Sequence, residues 1–527
     1  MNIFRLIQTR SNGLPTDKRP TIARNTVTTD RNSRRLPVTA LPVIFLLFSA
    51  RAATLNYKFD FGDGPVAEGY IGITAKTHYS NDAGYGLDSG NVSSADRGGD
   101  DALHRDYLTT GNELFFSIEV PQGNYNVTVI FGDAGGTSAT TVKAENRRLL
   151  FDRVTTAEGA VISKTITLRK METKSIDGTV TMSIKDRERG YFTWDNVLTL
   201  RFSGTKPAVC GVEITGADTA RTLFLCGNST VVDQLTAPWS SWGQMIPYFF
   251  GPAVAVANHA ESGLTSGNFL SMKRLSKLLA EVKPGDYVFV EFGHNDQKSS
   301  SGVTSYPANL KTFRDQITAK KAVPVFVTPT ARQAENDPLS SIGGLAQTMR
   351  ETAQALDVAC IDLNRMVIDL KTALGSKTKY IYMHTENDQT HFCEYGAYEL
   401  ARCVMKGLEE NFPSLSSSFK PGYTTFSPST PDPLDVLETE LTPVGIHEYP
   451  TDRYASVPDL LDIREKKVYP GGRWNPSLEL FSLDGRLITG KTVTSRKNSP
   501  LVQGMTIAVF RNDNGKPVRI RKLQTIR

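Results

Sequence analysis

The chain has 527 residues, too many for a single hydrophobic core, so roughly two to four domains are expected. With 39% hydrophobic residues, 22% charged residues and a mean hydropathy of -0.27, it has the composition of a soluble globular protein, which excludes a disordered chain and a membrane-embedded one. The net charge of +5 is small for this length and part of it sits in Arg5, Arg10, Lys18, Arg19, Arg24, Arg31, Arg34 and Arg35, so no basic stripe of a nucleic-acid-binding module is present.

The first feature along the chain is the apolar run Leu41-Pro-Val-Ile-Phe-Leu-Leu-Phe48, with Arg34-Arg35 before it and Ser49-Ala-Arg-Ala-Ala53 after it. Basic region, apolar core and small-residue cleavage site describe a signal peptide over residues 1–53, with an unusually long basic region. The apolar core is roughly a dozen residues, short of the ~20 that span a bilayer as a helix, so export is expected and stable membrane insertion is not. Translation starting further in, or a membrane anchor, are the other readings of that long basic region.

Residues 54–216 carry short alternating runs, among them Tyr57-Lys-Phe-Asp-Phe61, Glu113-Leu-Phe-Phe-Ser-Ile-Glu-Val120 and Tyr125-Asn-Val-Thr-Val-Ile-Phe131, separated by Gly, Asp, Asn and Pro clusters. This predicts an antiparallel β-sandwich. The segments Phe59-Asp-Phe-Gly-Asp-Gly-Pro65, Gly84-Tyr-Gly-Leu87 and Pro121-Gln-Gly-Asn-Tyr-Asn-Val127 resemble galactose-binding-like, malectin-type modules that precede polysaccharide esterases. Sugar binding and simple packing against the next domain are equally compatible with that resemblance.

From residue 217 to 412 the texture becomes βα alternation. The runs Leu223-Phe-Leu-Cys226, Tyr287-Val-Phe-Val-Glu-Phe292 and Pro324-Val-Phe-Val-Thr328 are nearly continuous in apolar residues, as strands covered on both faces are. Helices are predicted over 269–282, 308–320, 345–356 and 394–409. The domain is therefore read as α/β, a doubly wound parallel sheet with helices on both faces, whose site should form at the carboxyl ends of the strands.

A Pro/Ser/Thr-rich stretch over 413–440 reads as a linker. Beyond it, residues 441–527 hold the strand-like runs 477–482, 502–510 and 515–522 and the turn Asp484-Gly-Arg-Leu487, a small β-module. It resembles the C-terminal sorting domains of type IX secretion in Gram-negative bacteria, which would make the secretion machinery a partner and the location secreted or cell-surface; an adhesive β-module is the alternative. The five cysteines, Cys210, Cys226, Cys360, Cys393 and Cys403, admit one or two disulfides in an exported protein, with Cys226 better read as a buried thiol.

Four segments at predicted strand ends carry chemistry. Gly227-Asn-Ser-Thr230 follows the first strand of the α/β domain; a serine hydroxyl is a weak nucleophile until a base takes its proton, and a helix N-cap is the ordinary alternative. In Asn258-His-Ala-Glu-Ser-Gly-Leu-Thr-Ser-Gly-Asn-Phe269, Gly263 lets a backbone N–H approach a developing oxyanion. In Gly293-His-Asn-Asp-Gln297 the amide of Asn295 can donate to the same oxyanion. Asp388-Gln-Thr-His391 spaces a carboxylate and an imidazole so that the first fixes the tautomer of the second. A zinc site built on His391 with His259 or His384 matches no zinc spacing, so neither metal nor cofactor is expected.

In this order the four segments resemble the SGNH (GDSL-type) hydrolases, and Trp242-Gly-Gln, Phe292-Gly-His-Asn-Asp-Gln-Lys298, Val327-Thr-Pro329 and Thr390-His-Phe-x-x-Tyr-Gly-Ala397 resemble rhamnogalacturonan acetylesterases of carbohydrate esterase family twelve. The resemblance implies Ser229 as nucleophile, Asp388 and His391 as its partners, and the Ser229 N–H, the Gly263 N–H and the Asn295 amide as oxyanion hole. Two positions depart from it: Asn228 stands where Asp is usual, and Leu264 where Arg is common. The implied function is a secreted serine esterase releasing O-acetyl groups from plant cell-wall polysaccharide, rhamnogalacturonan (pectin) or xylan. The alternatives are a catalytically weakened carbohydrate-binding or adhesion protein and a lipid or acyl-thioester hydrolase on the same fold.

Overall fold

The computed structural model describes residues 55–89, 91–336, 342–383 and 388–438, together with four strands between 477 and 523. The expected export signal, His384 and the Asp484-Gly-Arg turn lie outside the described residues.

The N-terminal module is the predicted β-sandwich. Its strands are β1 (Asn56–Phe61), β2 (Ile71–Ile73), β3 (Tyr85–Ser89), β4 (Val92–Asp96), β5 (Asp106–Thr110), β6 (Leu114–Glu119), β7 (Gly123–Gly132), β8 (Ser138–Ala144), β9 (Arg148–Thr156), β10 (Val161–Lys170), β11 (Val197–Lys206) and β12 (Val209–Gly216). One sheet runs β10-β7-β12-β1-β2, with β5 and β4 added beside β12, and the other runs β3-β6-β11-β8-β9. The two-residue period of β7 turns Tyr125, Val127, Val129 and Phe131 into the space between the sheets. Phe116 from the opposite sheet meets Phe59 and Phe61 there at ring-centroid distances of 4.9 and 5.1 Å.

The second module is a parallel sheet of β13 (Arg221–Cys226), β14 (Val254–Asn258), β15 (Tyr287–Val290), β16 (Val323–Val327) and β17 (Ala359–Ile361), in the order β14-β13-β15-β16-β17. Leu223 and Leu225 of β13 feed one core, and Phe224 and Cys226 feed the core on the other face. That explains why the strand is apolar at successive positions. The chain leaves β13 for strands on either side of it, so the carboxyl end of β13 is the switch point where a crevice opens.

The helices are α1 (Trp242–Met245), α2 (Ser266–Ser271), α3 (Arg274–Leu279), α4 (Ser300–Ala319), α5 (Ile342–Leu356), α6 (Leu363–Leu374) and α7 (Glu394–Asn411). The helix predicted over 269–282 is two short ones, broken at Lys273, whose φ of 60° ends one helical path and begins the next. The helix predicted from 308 starts earlier, at Ser300, with the Ser299 hydroxyl accepting from Gly302 N and Pro307 carried inside.

The stretch expected as a linker is instead packed as far as residue 438. Leu415, Phe419, Phe426 and Leu437 are buried in the core of the α/β module, and Arg402 on α7 holds Asp432 and the Thr424 carbonyl. Its Pro, Ser and Thr residues disguise apolar side chains too widely spaced to read as an element. All five cysteines are free thiols, so the disulfides considered above do not form. Buried ion pairs join the two modules: Arg148 to Asp233 at 2.5 Å, Arg169 to Glu281 at 2.8 Å, Arg147 and Lys143 to Glu394 at 2.6 and 3.0 Å, and Arg274 to Glu188.

The C-terminal unit is an antiparallel sheet in the order β19-β18-β20-β21, from β18 (Ser477–Phe481), β19 (Leu487–Thr489), β20 (Thr506–Arg511) and β21 (Pro517–Leu523). Three of these strands fall on the predicted runs.

Candidate active site

The turn after β13 carries Ser229. Glycine is required at 227, because a Cβ there would lie 2.5 Å from Val231 Cγ2 and 3.2 Å from the Glu291 carbonyl. The Asn228 side-chain oxygen accepts from Thr230 N at 3.1 Å and from Thr230 Oγ1 at 2.9 Å, closing an Asx turn around the serine. An aspartate oxygen would accept the same two bonds, so Asn228 keeps the turn and loses only a charge. The cost is its own NH2 group, which is buried without a partner. Thr230 Oγ1 also lies 2.7 Å from Glu291 Oε1, and Trp242 Nε1 donates to the other oxygen of that carboxyl. Burial pushes Glu291 up to about 7.

Ser229 Oγ is 2.7 Å from His391 Nε2, and His391 Nδ1 is 2.7 Å from Asp388 Oδ2. The other oxygen of Asp388 accepts from Thr390 N and His391 N, which fixes the carboxylate in the loop before α7. Burial raises the affinity of Asp388 for a proton, but these bonds and the His391 ring outweigh it and hold the group below the usual carboxylate range. The backbone pairs of Met383 with His391 and Asp388 tie both ends of this loop. Ser229 is 7% exposed, and Trp239 stands edge-on to His391 at 5.8 Å between ring centroids.

Gly263 and Asn295 lie on the loops after β14 and β15, the two strands that flank β13. Gly263 has φ of +77°, a conformation that favours glycine, and is exposed. Glu261 N donates to the Gly227 carbonyl at 3.2 Å, binding this loop to the serine turn. Asn295 donates one amide N–H to the Leu264 carbonyl at 3.0 Å and has a second N–H besides. Asp296, next in sequence, accepts from Ser266 N, Ser266 Oγ and Gly293 N, so one buried carboxylate ties together the loops bearing Gly263 and Asn295. Leu264 is turned into the core and is 1% exposed.

His294 is buried, donates from Nε2 to the Thr330 carbonyl 2.9 Å away, and is pushed down to about 3 by burial, so it is neutral. Among the described residues no group of three or more His, Cys, Asp or Glu side chains is arranged to hold a metal ion.

The arrangement can lower the barrier to acyl transfer: a hydroxyl backed by an oriented imidazole, with backbone and amide N–H groups on neighbouring loops. Residues 225–394 match the GDSL-like lipase/acylhydrolase family, and residues 57–166 match the β-agarase/YXIM esterase-like, galactose-binding domain-like family. The rhamnogalacturonan acetylesterase RhgT of Bacillus subtilis is 35% identical over 207 residues, which are 36% of this chain and 89% of that protein. The chain belongs to the GDSL-like lipase/acylhydrolase family. It is a carboxylic ester hydrolase. The uncharacterized esterase YxiM of the same bacterium is 26% identical over 370 residues, 67% of this chain and 90% of that protein. A crystal structure of YxiM covers 68% of this chain and 99% of its own, at 25% identity and a TM-score of 0.36.

Sequence reasoning passed over Asp296, Trp239, Glu261 and every residue the sandwich brings to this region. Asp296 was visible as the acid of the Gly-His-Asn-Asp motif; the others carry no local signal.

Proposed function

We propose that this protein is a secreted acetylesterase that removes O-acetyl groups from a plant cell-wall polysaccharide of the pectic (rhamnogalacturonan) or xylan type. Ser229 Oγ attacks the acetyl carbonyl while His391 Nε2 takes its proton, and Asp388 stabilises the imidazolium that forms. The N–H groups of Ser229 and Gly263 and the amide of Asn295 hold the oxyanion. His391 then gives that proton to the sugar oxygen as its bond to the acetyl carbon breaks, freeing the sugar hydroxyl, and a water activated by the same imidazole releases acetate from Ser229.

The observation that carries this reading is the pair of 2.7 Å contacts linking Ser229, His391 and Asp388. The similarity to RhgT supports an acetylated polysaccharide as substrate, and the leading β-module and the apolar segment before it support action outside the cell. The test is acetate release by the purified protein from acetylated pectin and acetylated xylan beside esters of longer acids. Acetate from a polymer is expected; cleavage of long-chain esters with none from either polymer overturns the substrate class.

A further inference from the structure

Lys185 and Arg187 belong to the β-sandwich module, yet their charged ends lie on the loop that carries Gly263 in the other module. Arg187 Nε donates to Glu261 Oε1 at 2.6 Å, and Lys185 Nζ donates to the Ser262 carbonyl at 2.5 Å. A Cβ on Gly263 would stand 3.4 Å from Lys185 Nζ. The turn that presents them is rigid, because buried Glu188 accepts from Lys185 N at 2.8 Å, from Trp194 Nε1 at 3.2 Å and from Arg274. The lysine backbone is thus fixed on one side by a buried carboxylate while its ammonium lies on the Gly263 loop, which Glu261 N ties to the Gly227 carbonyl of the serine turn.

The chemistry of that ammonium selects its partner. Lys185 is half-buried and an ammonium has three N–H donors, of which the Ser262 carbonyl takes one. The nearest acid, Glu261, is bound by Arg187. Leu264 turns inward, and of the cations at this loop Lys185 and Arg187 come from the sandwich while the fully buried Arg274, from α3, holds the His259 carbonyl. A neutral sugar offers this ammonium hydroxyl acceptors only, whereas a carboxylate gives it a charge-assisted hydrogen bond.

We propose that Lys185 is a specificity-determining residue of the active-site mouth, pairing with the carboxylate of an acidic sugar unit beside the acetyl ester, with Arg187 positioning the oxyanion loop beneath it. This rests on the ester-hydrolase reading and selects, among its substrates, acidic polysaccharides.

The test compares kcat/KM on acetylated polygalacturonate with kcat/KM on an acetylated xylan free of uronic acid, for the parent, Lys185→Met and Lys185→Arg. The acidic-to-neutral ratio should fall about tenfold or more in Lys185→Met and largely recover in Lys185→Arg, as the loss and return of one charged hydrogen bond require. Added salt should slow the parent on the acidic polymer more than it slows Lys185→Met. Equal losses on both polymers would make Lys185 a structural support and overturn the inference, as would an unchanged ratio. A parent that deacetylates only the neutral polymer overturns it and leaves the polysaccharide acetylesterase reading standing; a parent that releases acetate from no polymer overturns it together with that substrate class.

Discussion

The two halves of the site stand on neighbouring strand ends but are anchored in different ways. Behind the nucleophile half, the turn between β8 and β9 of the sandwich reaches in with Arg147 and Arg148, which hold Glu394, three residues after His391, and Asp233, four residues after Ser229. Every one of these side chains is nearly inaccessible to solvent. On the oxyanion half the same module meets the loop itself, through Arg187 and Lys185, and there about half of the Arg187 side chain is exposed. One side of the sandwich buttresses the elements behind Ser229 and His391; the other reaches the loop that carries Gly263. The same module thus contacts both halves of the site, through buried ion pairs on one side and a partly exposed guanidinium on the other.

Three substitutions sharpen that contrast. The largest effect is expected from Asn295→Ala, which removes a side-chain donor from the oxyanion half; kcat should drop roughly a hundred- to a thousandfold with KM little changed, read by steady-state kinetics on a chromogenic acetate ester. Next is Arg274→Met, which strands the buried Glu188 carboxylate that supports the Lys185 turn. Breaking such a pair by removing one partner costs about 3 kcal/mol or more, and should appear as a lower midpoint in denaturant unfolding. The smallest is Asn228→Asp. Because the same oxygen accepts from Thr230 in either residue, kcat/KM should stay within about fivefold of the parent; a larger gain would show that the missing charge, rather than the turn, limits this enzyme.

Much of the site was legible because its groups sit in short segments directly after apolar strands, where a parallel sheet places them together. Gly227, Ser229 and Asn295 can each be read that way, whereas Gly263 is read from its glycine and Asp388 and His391 from their own spacing just before α7. The β-sandwich was legible from two-residue alternation such as that of β7. What escaped the sequence shares one property: its partners are distant along the chain and meet only through packing. Lys185 and Ser262 are separated by 77 positions, and Arg148 and Asp233 by 85, with no periodicity to announce either pair. The supposed linker escaped for a related reason, since Leu415, Phe419, Phe426 and Leu437 acquire meaning only against the faces of α7 and its neighbours.

The role of Ser229 as nucleophile is tested by acetate release from Ser229→Ala beside the parent, with unfolding midpoints measured on both. A loss on the order of ten-thousandfold or more is expected, because the base and the oxyanion groups remain but have no hydroxyl to act through. Equal acetate release from two equally folded proteins would contradict it.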